Sequence, residues 1–152
     1  MQRILITLIL SISLASCGPA DSKLEQVRTA DELVVITVNS PTTYYEGSDQ
    51  YVGFEYDMAK AFADYLGVKL KVVVVKRFAE VLPALQDGRG DLAAAGITVT
   101  DERKKGFRFS LPYQYIYQQL VYRFPGHKPR DYSDLQGRDI AVVAGSSYAA
   151  RL

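Results

Sequence analysis

The chain has 152 residues, of which 48% are hydrophobic, and its formal net charge is +1. This hydrophobic share is sufficient for the core of a single folded domain. No basic block or stripe occurs, which argues against nucleic acid as a partner. The single cysteine excludes an intramolecular disulfide, and the single histidine leaves a zinc site without ligands. We therefore expect no metal and no cofactor.

The first residues have the pattern of a secretory signal. An apolar run from Ile4 to Leu14 follows one arginine and is too short to span a bilayer comfortably as a helix. Because its end, LASC, resembles a bacterial lipobox, we expect residues 1–16 to be a lipoprotein signal peptide and Cys17 to carry a membrane-anchoring lipid. The alternative is a plain secreted protein with one thiol at the cut. Gly18 resembles an outer-membrane address, which favours a periplasmic protein on the outer rather than the inner membrane.

The next segment, residues 17–30, is polar and charged. We expect it to be a short tether before the folded domain. Leu24, Val27 and Leu33 have a spacing that could instead start a small helix.

The middle of the chain alternates buried-strand and helix patterns. Apolar runs predict strands at 33–38, 69–76 and 91–95. Helical spacing predicts one helix from 54 to 66, stopped by Gly67, and another over 78–85. The core positions expected on the first helix are Phe54, Met58, Phe62 and Leu66. This order predicts an α/β fold with a parallel sheet and crossover helices, whose ligands lie beyond the carboxyl ends of the strands.

Residues 93–113 contain the residue types of a ligand cradle. Gly96 lets a ligand approach the backbone, Thr98 offers a hydroxyl, and Arg103 has a planar guanidinium that can bind a carboxylate with two hydrogen bonds. Thr100, followed by two acids, has the composition of a helix start. The same residues also suit an ordinary strand, turn and short helix with a solvated arginine.

Several motifs in this part of the chain resemble the family 3 periplasmic solute-binding proteins, which hold polar amino acids. GITVTDERKK at 96–105, followed by FSLPY at 109–113, is similar to the family signature. FEYDMA at 54–59, YLGVK at 65–69 and LPALQDG at 82–88 occur in the family's order. The resemblance covers roughly residue 33 to the C-terminus, and several motifs in register argue against chance agreement.

The resemblance implies a class II periplasmic-binding-protein fold, in which two lobes close on a ligand. Residues 31–116 would form lobe 1, and 117–152 the hinge and the start of a second lobe that is cut short. The contacts it implies are Arg103 for the ligand carboxylate, Thr98 and the Gly96 carbonyl for the ammonium, Phe78 and Tyr44 for the side chain, and Ser146 and Ser147 as donors at a helix start. The alternatives are a core position for Phe78 and a simple N-cap at the two serines.

Two further elements are expected beyond this first lobe. Tyr113, Tyr115 and Tyr117 alternate with other residues at a period of two, which predicts an extended strand that crosses to the second lobe. Residues 133–148 resemble the strand that enters the second lobe and the start of its helix. His127 lies in a Pro-Gly loop and is expected at the surface.

The anchored start and the residues after 118 are similar to a subfamily of membrane-bound lytic murein transglycosylases. There, a solute-binding-like domain precedes a lysozyme-like domain that cleaves peptidoglycan with a single glutamate. The resemblance implies a sensor for an amino acid or muropeptide-like ligand with an α-carboxylate, with peptidoglycan as a partner through a following catalytic domain. The alternative is the substrate-binding lipoprotein of an amino-acid ABC transporter, whose partner would be a permease.

No catalytic residue is expected within this chain. The acids at 46, 49, 55 and 57 are interpreted as loop and helix-start residues, because nothing in the sequence places two of them around one substrate bond.

Overall fold

The computed structural model describes residues 22–123, 125–126 and 128–151. The predicted signal peptide, the lipidation site Cys17 and His127 lie outside the described residues. In chain order the helices and strands are α1 (Lys23–Ala30), β1 (Glu32–Val38), β2 (Tyr45–Glu46), β3 (Tyr51–Val52), α2 (Phe54–Leu66), β4 (Lys69–Val75), α3 (Val81–Gln86), β5 (Leu92–Ala93) and α4 (Asp101–Lys104). Short 3-10 turns occur at Phe78–Glu80, Tyr132–Leu135 and Ala149–Arg151.

A three-stranded sheet in the order β4-β1-β5 forms the centre of the molecule, and all its pairings are parallel. Strand β1 pairs with β4 along its whole length and with β5 at Val35 and Ile36. The three predicted strands and the helices between them are therefore present, although the third strand is shorter than expected. The expected α/β fold with crossover helices is confirmed.

The core lies on both faces of this sheet because successive side chains of β1 point to opposite sides. On one face Leu33 and Val35 pack with Ala59 and Ala63 of α2. On the other face Ile36, which is fully buried, packs with residues of α3 and with Ala95. Burial of a side chain such as Ile36 contributes roughly 1.5–3 kcal/mol.

The prediction for the core-facing side of α2 was right for Leu66, which packs against the core cluster, and wrong for Phe54, Met58 and Phe62. The buried positions are Glu55, Ala59 and Ala63, whereas Phe54 and Phe62 are 56% and 43% exposed. Both sets recur every four residues, so helical spacing alone cannot distinguish them. The small alanines are the ones that face the sheet, because they allow the helix backbone to approach it closely.

The segment before the sheet forms a helix. The sequence had left two possibilities for this segment, a tether or a small helix. Helix α1 begins at the N-cap Ser22, whose hydroxyl accepts a hydrogen bond from the Glu25 N–H at 3.2 Å. Val27 of this helix is buried and belongs to the core cluster of Leu33 and Val35. The helical alternative is therefore the one observed for Lys23–Ala30.

Two predicted strands are not formed in the described part of the chain. Residues 111–123, which we call the connecting segment, contain no helix or strand, and neither do residues 139–143. Instead of a helix starting at Ser146, the structure has a turn and the three-residue 3-10 helix Ala149–Arg151. A period of two favours extended backbone, but a strand also needs a partner for its N–H and C=O groups.

None of the described helices is long and apolar enough to span a membrane.

Candidate ligand-binding site

The site begins where the chain leaves β5 at the carboxyl end of the sheet. The Ala94 N–H still donates to the Ile36 carbonyl at 2.9 Å, and two residues later Gly96 has a φ of +62°. Glycine adopts this left-handed conformation without the steric penalty of a Cβ atom. The turn therefore carries the chain off the sheet toward Thr98, at the edge where the sequence predicts a ligand.

Arg103 is positioned by the short helix α4. The Thr100 hydroxyl accepts from the Arg103 N–H at 3.3 Å and caps this helix, as the sequence predicts. The Arg103 side chain folds back, so that its Nη1 donates to the Thr98 carbonyl at 2.7 Å. Its guanidinium lies 5.9 Å from the centre of the Phe78 ring, within the range of a cation–π contact. Partial burial lowers the pKa of Arg103, yet a guanidinium remains a cation at neutral pH.

The turn at residues 145–147, which we call the serine turn, lies against this arginine. Arg103 Nη2 donates to the Gly145 carbonyl at 2.8 Å, and the Ser147 hydroxyl donates to Thr98 Oγ1 at 3.2 Å. A Cβ atom on Gly145 would lie 2.9 Å from Ala79, so only glycine permits this approach. The structure therefore brings Arg103, Thr98, Ser147 and, through Arg103, the Phe78 ring together.

Ser146 is the buried member of the serine turn that lacks a partner. Its Oγ has no hydrogen bond with any described residue, and the residue is only 9% exposed. Leaving a buried polar group unpaired costs about 1–3 kcal/mol. The role of Ser146 as a donor to a ligand stays a prediction.

Tyr44 occupies a different environment from Arg103. Its ring stacks on that of Tyr51, with 4.9 Å between the ring centres, and meets the ring of Tyr56 edge-on, with 5.5 Å between the centres. Burial in this aromatic cluster, followed by the influence of Tyr51, raises the pKa of Tyr44 to about 12. Its role as a ligand contact stays a prediction.

Glu55 is the residue of the site that sequence reasoning missed. It was interpreted as a helix-start acid, but it is only 5% exposed, and both its carboxylate oxygens accept from the Gly96 N–H, at 2.8 and 2.7 Å. It also accepts from the Tyr113 hydroxyl. The available signal was its position one helical turn before Ala59 and two turns before Ala63, on the face that packs against the sheet.

Tyr113 connects this carboxylate to the surface of α2. Its ring lies 5.7 Å from that of Phe54, and about half of its surface is exposed. Burial and the hydrogen bond to Glu55 raise the pKa of the Tyr113 hydroxyl well above its usual range. The hydroxyl thus stays protonated and acts as a donor to the carboxylate.

The sequence matches the family of bacterial extracellular solute-binding proteins, family 3, over residues 33–129. The chain belongs to this family. The match includes Gly96, Thr98 and Arg103, whereas the serine turn lies beyond it. Within the described residues of this family member, no group of three or more His, Cys, Asp or Glu side chains could hold a metal ion.

Among curated relatives, the chain is similar to membrane-bound lytic murein transglycosylase F of two bacteria. It is 45% identical over 129 residues to the protein of Saccharophagus degradans, an alignment that covers 85% of this chain and 26% of the relative. It is 44% identical over 147 residues to that of Aeromonas salmonicida, covering 95% of this chain and 29% of the relative. The family 3 chain thus spans less than a third of the length of these relatives.

Solved structures with the same fold include two that are bound to arginine. An amino acid ABC transporter substrate-binding protein from Streptococcus pneumoniae, bound to L-arginine, is 45% identical with a TM-score of 0.54, covering 61% of this chain and 40% of that one. The arginine-bound domain 1 of TmArgBP from T. maritima is 34% identical with a TM-score of 0.54, covering 58% of this chain and 71% of that one. The family 3 chain therefore has, in part, the fold of a class II periplasmic binding protein.

Proposed function

We propose that this chain is the solute-binding sensor domain of a membrane-bound lytic murein transglycosylase. In this proposal it binds an amino acid or a muropeptide-like ligand by clamp closure, with the ligand's α-carboxylate on Arg103. The observation that carries the proposal is the guanidinium of Arg103, which donates both to the first-lobe turn at Thr98 and to the serine turn at Gly145.

The carboxylate assignment rests on the geometry of the guanidinium. Arg103 Nη2 now donates to a neutral peptide carbonyl, that of Gly145. A ligand carboxylate in the same place would form a charge-assisted hydrogen bond, which is about twice as strong as a neutral one. In this proposal the unpaired hydroxyl of Ser146, in the serine turn, would supply a further donor.

The remaining predicted contacts fit the other groups of an amino acid. The Thr98 hydroxyl and the Gly96 carbonyl would accept from the ligand ammonium, and Phe78 would cover the ligand side chain. The hydrogen bond between Ser147 and Thr98 supports a clamp, because it joins the serine turn to the first-lobe cradle. Ligand binding would bias these two surfaces toward one closed arrangement.

The sensor role rests on the likeness to the transglycosylase F proteins. In this proposal the domain is periplasmic and anchored through a lipid on Cys17, with the outer membrane as its site. Peptidoglycan is then a partner of the whole protein rather than of this domain. The cleavage itself would take place in a following catalytic domain.

The binding part is tested in the full-length protein by isothermal titration with L-arginine, other L-amino acids and purified muropeptides. Arg103→Ala should weaken binding of any probe that the wild type holds by at least about tenfold, since a charged hydrogen bond contributes about 1.5–3 kcal/mol. Arg108→Ala, at an exposed arginine five positions later, is the matched control and should leave the affinity unchanged. Equal affinities of Arg103→Ala and wild type would refute the carboxylate site.

The second candidate function is the receptor of an amino-acid uptake system, favoured by the likeness to the L-arginine-bound transporter protein. The sensor and the uptake receptor are distinguished by incubating the full-length protein with purified peptidoglycan and measuring the released muropeptides by mass spectrometry. Release supports the sensor of a cell-wall lyase. No release, combined with co-purification of a permease, supports the uptake receptor.

A further inference from the structure

Helix α2 contains a buried carboxylate that none of the proposed ligand contacts uses. Glu55 is 5% exposed, and no cation forms an ion pair with it among the described residues. Burying a charge is unfavourable unless hydrogen bonds compensate for the lost water. The identity of its donors therefore indicates what the carboxylate does.

The first donor is the backbone of the ligand cradle. Both oxygens of Glu55 accept from the Gly96 N–H, at 2.8 and 2.7 Å. Gly96 is exposed and lies past the end of β5, so the sheet ladder does not hold this amide. Gly96 has a φ of +62°. Because glycine has no Cβ atom to restrict its backbone, the conformation of this turn is flexible unless another group fixes it.

The second donor belongs to the connecting segment, residues 111–123. The Tyr113 hydroxyl donates to Glu55, while the residues that follow, including Tyr115 and Tyr117, are exposed at 86% and 93%. This hydroxyl is thus the point where the start of the segment is attached to α2. The segment leads along the chain toward the serine turn that contacts Arg103.

We propose that Glu55 is a positioning residue of the binding site. It holds the Gly96 amide, and with it the turn to Thr98, and it fastens the connecting segment at Tyr113. One carboxylate therefore sets the geometry of the cradle and the starting point of the chain that carries the opposite side of the site. This inference rests on the proposed function for its consequence, but its geometric content is independent of any ligand.

The geometric content is tested by amide hydrogen exchange of the full-length protein without ligand, followed by NMR. In the wild type the Gly96 amide should exchange at least about a hundredfold more slowly than in an unstructured peptide. An exposed glycine outside a sheet has no other source of such protection. A Gly96 amide that exchanges like a free peptide would overturn the proposal.

Variants at position 55 separate positioning from simple space filling. Glu55→Leu keeps the volume and removes the acceptor, so Gly96 exchange should accelerate by at least about tenfold relative to the wild type. Glu55→Gln retains one acceptor oxygen for Gly96 and an amide for the Tyr113 oxygen, so it should preserve most of the protection. Asp57→Leu, at an exposed acid two residues later, is the matched control and should leave Gly96 exchange unchanged. Equal protection in the leucine variant and the wild type would contradict the positioning role.

A variant of Tyr113 tests the second attachment without altering a buried charge. Tyr113→Phe should speed chymotrypsin cleavage after Tyr115 and Tyr117 by at least about threefold, because the segment is released at its start. Tyr65→Phe, at a tyrosine that is 83% exposed, is the control and should leave both rates unchanged. Identical rates in the two variants would show that Tyr113 does not fasten the segment.

The consequence for binding is measured with L-arginine as the probe. Glu55→Leu should weaken its binding by at least about fivefold, with Glu55→Gln closer to the wild type. The exchange and cleavage measurements need no ligand, so they decide on Glu55 even if the wild type binds no probe. If neither L-arginine nor the other amino acids and muropeptides bind to the wild type, the proposed function fails, whereas the positioning role of Glu55 is judged from exchange and cleavage alone.

Discussion

Arg103 and Glu55 hold the backbone of the cradle from opposite ends. Arg103 donates to the Thr98 carbonyl, whereas Glu55 accepts from the Gly96 N–H, so a cation and an anion fix a stretch of three residues. The positively charged side chain donates to a peptide C=O, and the negatively charged side chain accepts from a peptide N–H. The cation also donates to the serine turn, while the anion is buried. In the proposed function this division leaves the arginine as the positive group for an anionic group of a ligand.

Alkaline pH should destabilise the protein through two partly buried tyrosines, Tyr44 and Tyr113. The pKa values of Tyr113 and Tyr44 are raised in the folded state, so both remain protonated where unfolded tyrosines ionise, at about pH 10. The folded state then binds more protons than the unfolded state, and the free energy of unfolding falls as pH rises above about 10. Below that pH their contribution is fully present.

Urea unfolding measured from pH 8 to pH 12 checks this expectation. Tyr113→Phe removes one of the two groups, so its free energy of unfolding should fall less steeply with pH than that of the wild type. Parallel pH profiles for the two proteins would mean that Tyr113 is not protected from ionisation in the folded state.

Residue types predicted most of the side chains that meet at the site, but not the buried acid. The arginine at 103 has chemistry that suits a carboxylate, and the threonine at 98 and the glycine carbonyl at 96 have chemistry that suits an ammonium, wherever the chain folds. Glu55 was missed because an acid in the first turn of a helix is equally suited to solvent. Its inward direction depends on which stripe of α2 faces the sheet, and the sequence left that choice undecided.

At the scale of single elements, Gly53 permits a close backbone contact at the start of α2. Gly53 is the N-cap of this helix, with a φ of 143°. A Cβ atom there would lie 2.3 Å from the Thr43 carbonyl oxygen. The Tyr56 N–H donates to the same carbonyl at 3.0 Å, so the loop before the helix closes directly onto its first turn. This contact holds the first turn of α2, which contains Glu55, against the preceding loop.

Gly53→Ala should therefore be more damaging than an alanine at another left-handed glycine. Backbone strain and overlap together should lower the free energy of unfolding by about 3 kcal/mol or more. Gly88→Ala is the matched control, because Gly88 has a φ of +72° with nothing within 4 Å of an added Cβ. That change should cost only about 1–2 kcal/mol. Urea unfolding of the two variants gives the comparison, and similar losses would contradict the close contact with Thr43.

At the scale of the whole molecule, the sheet was predictable and the region after it was not. A continuous apolar run specifies β1 because both faces of a central parallel strand are buried. The apolar run of β4 also forms a strand, although β4 lies at an edge of the described sheet and is only partly buried. Tyr113, Tyr115 and Tyr117 show a comparable period of two, yet no described strand pairs with them. Periodicity reports which side of a strand is apolar, whereas strand formation also depends on a neighbour elsewhere in the chain.

The contact between the serine turn and the cradle joins residues near the end of the described chain to residues in its middle. Ser147 and Thr98 are separated by 49 positions, and their hydroxyl oxygens are 3.2 Å apart. Together with the Arg103 contact to Gly145, this places the turn over the predicted carboxylate position. In the proposed function, a ligand would enter while this turn is apart from the cradle, and the two surfaces would then close on it, so the contact would act as a gate for binding.

A double variant, Thr98→Cys with Ser147→Cys, tests this gate. Sulfurs bond at about 2.05 Å, so the observed separation of the hydroxyl oxygens requires only a small adjustment for a disulfide to form. The oxidised full-length protein should bind L-arginine at least about tenfold more weakly than the same variant after reduction, because Arg103 stays covered. Comparing two redox states of one variant cancels the effect of losing the Thr98 hydroxyl. Single-cysteine variants control for pairing with Cys17.

Either of two results would contradict the gate. If no disulfide forms under oxidation, the serine turn does not rest on Thr98 in solution. If the disulfide forms and binding is unchanged, the ligand reaches its site without moving the turn, and Arg103 must receive it from another side. Loss of binding on oxidation and its return on reduction would show that the two surfaces must separate before a ligand can enter. Opening to admit a ligand and closing on it is the motion that the proposed sensor domain needs, since it links a bound ligand to the position of the chain beyond residue 145.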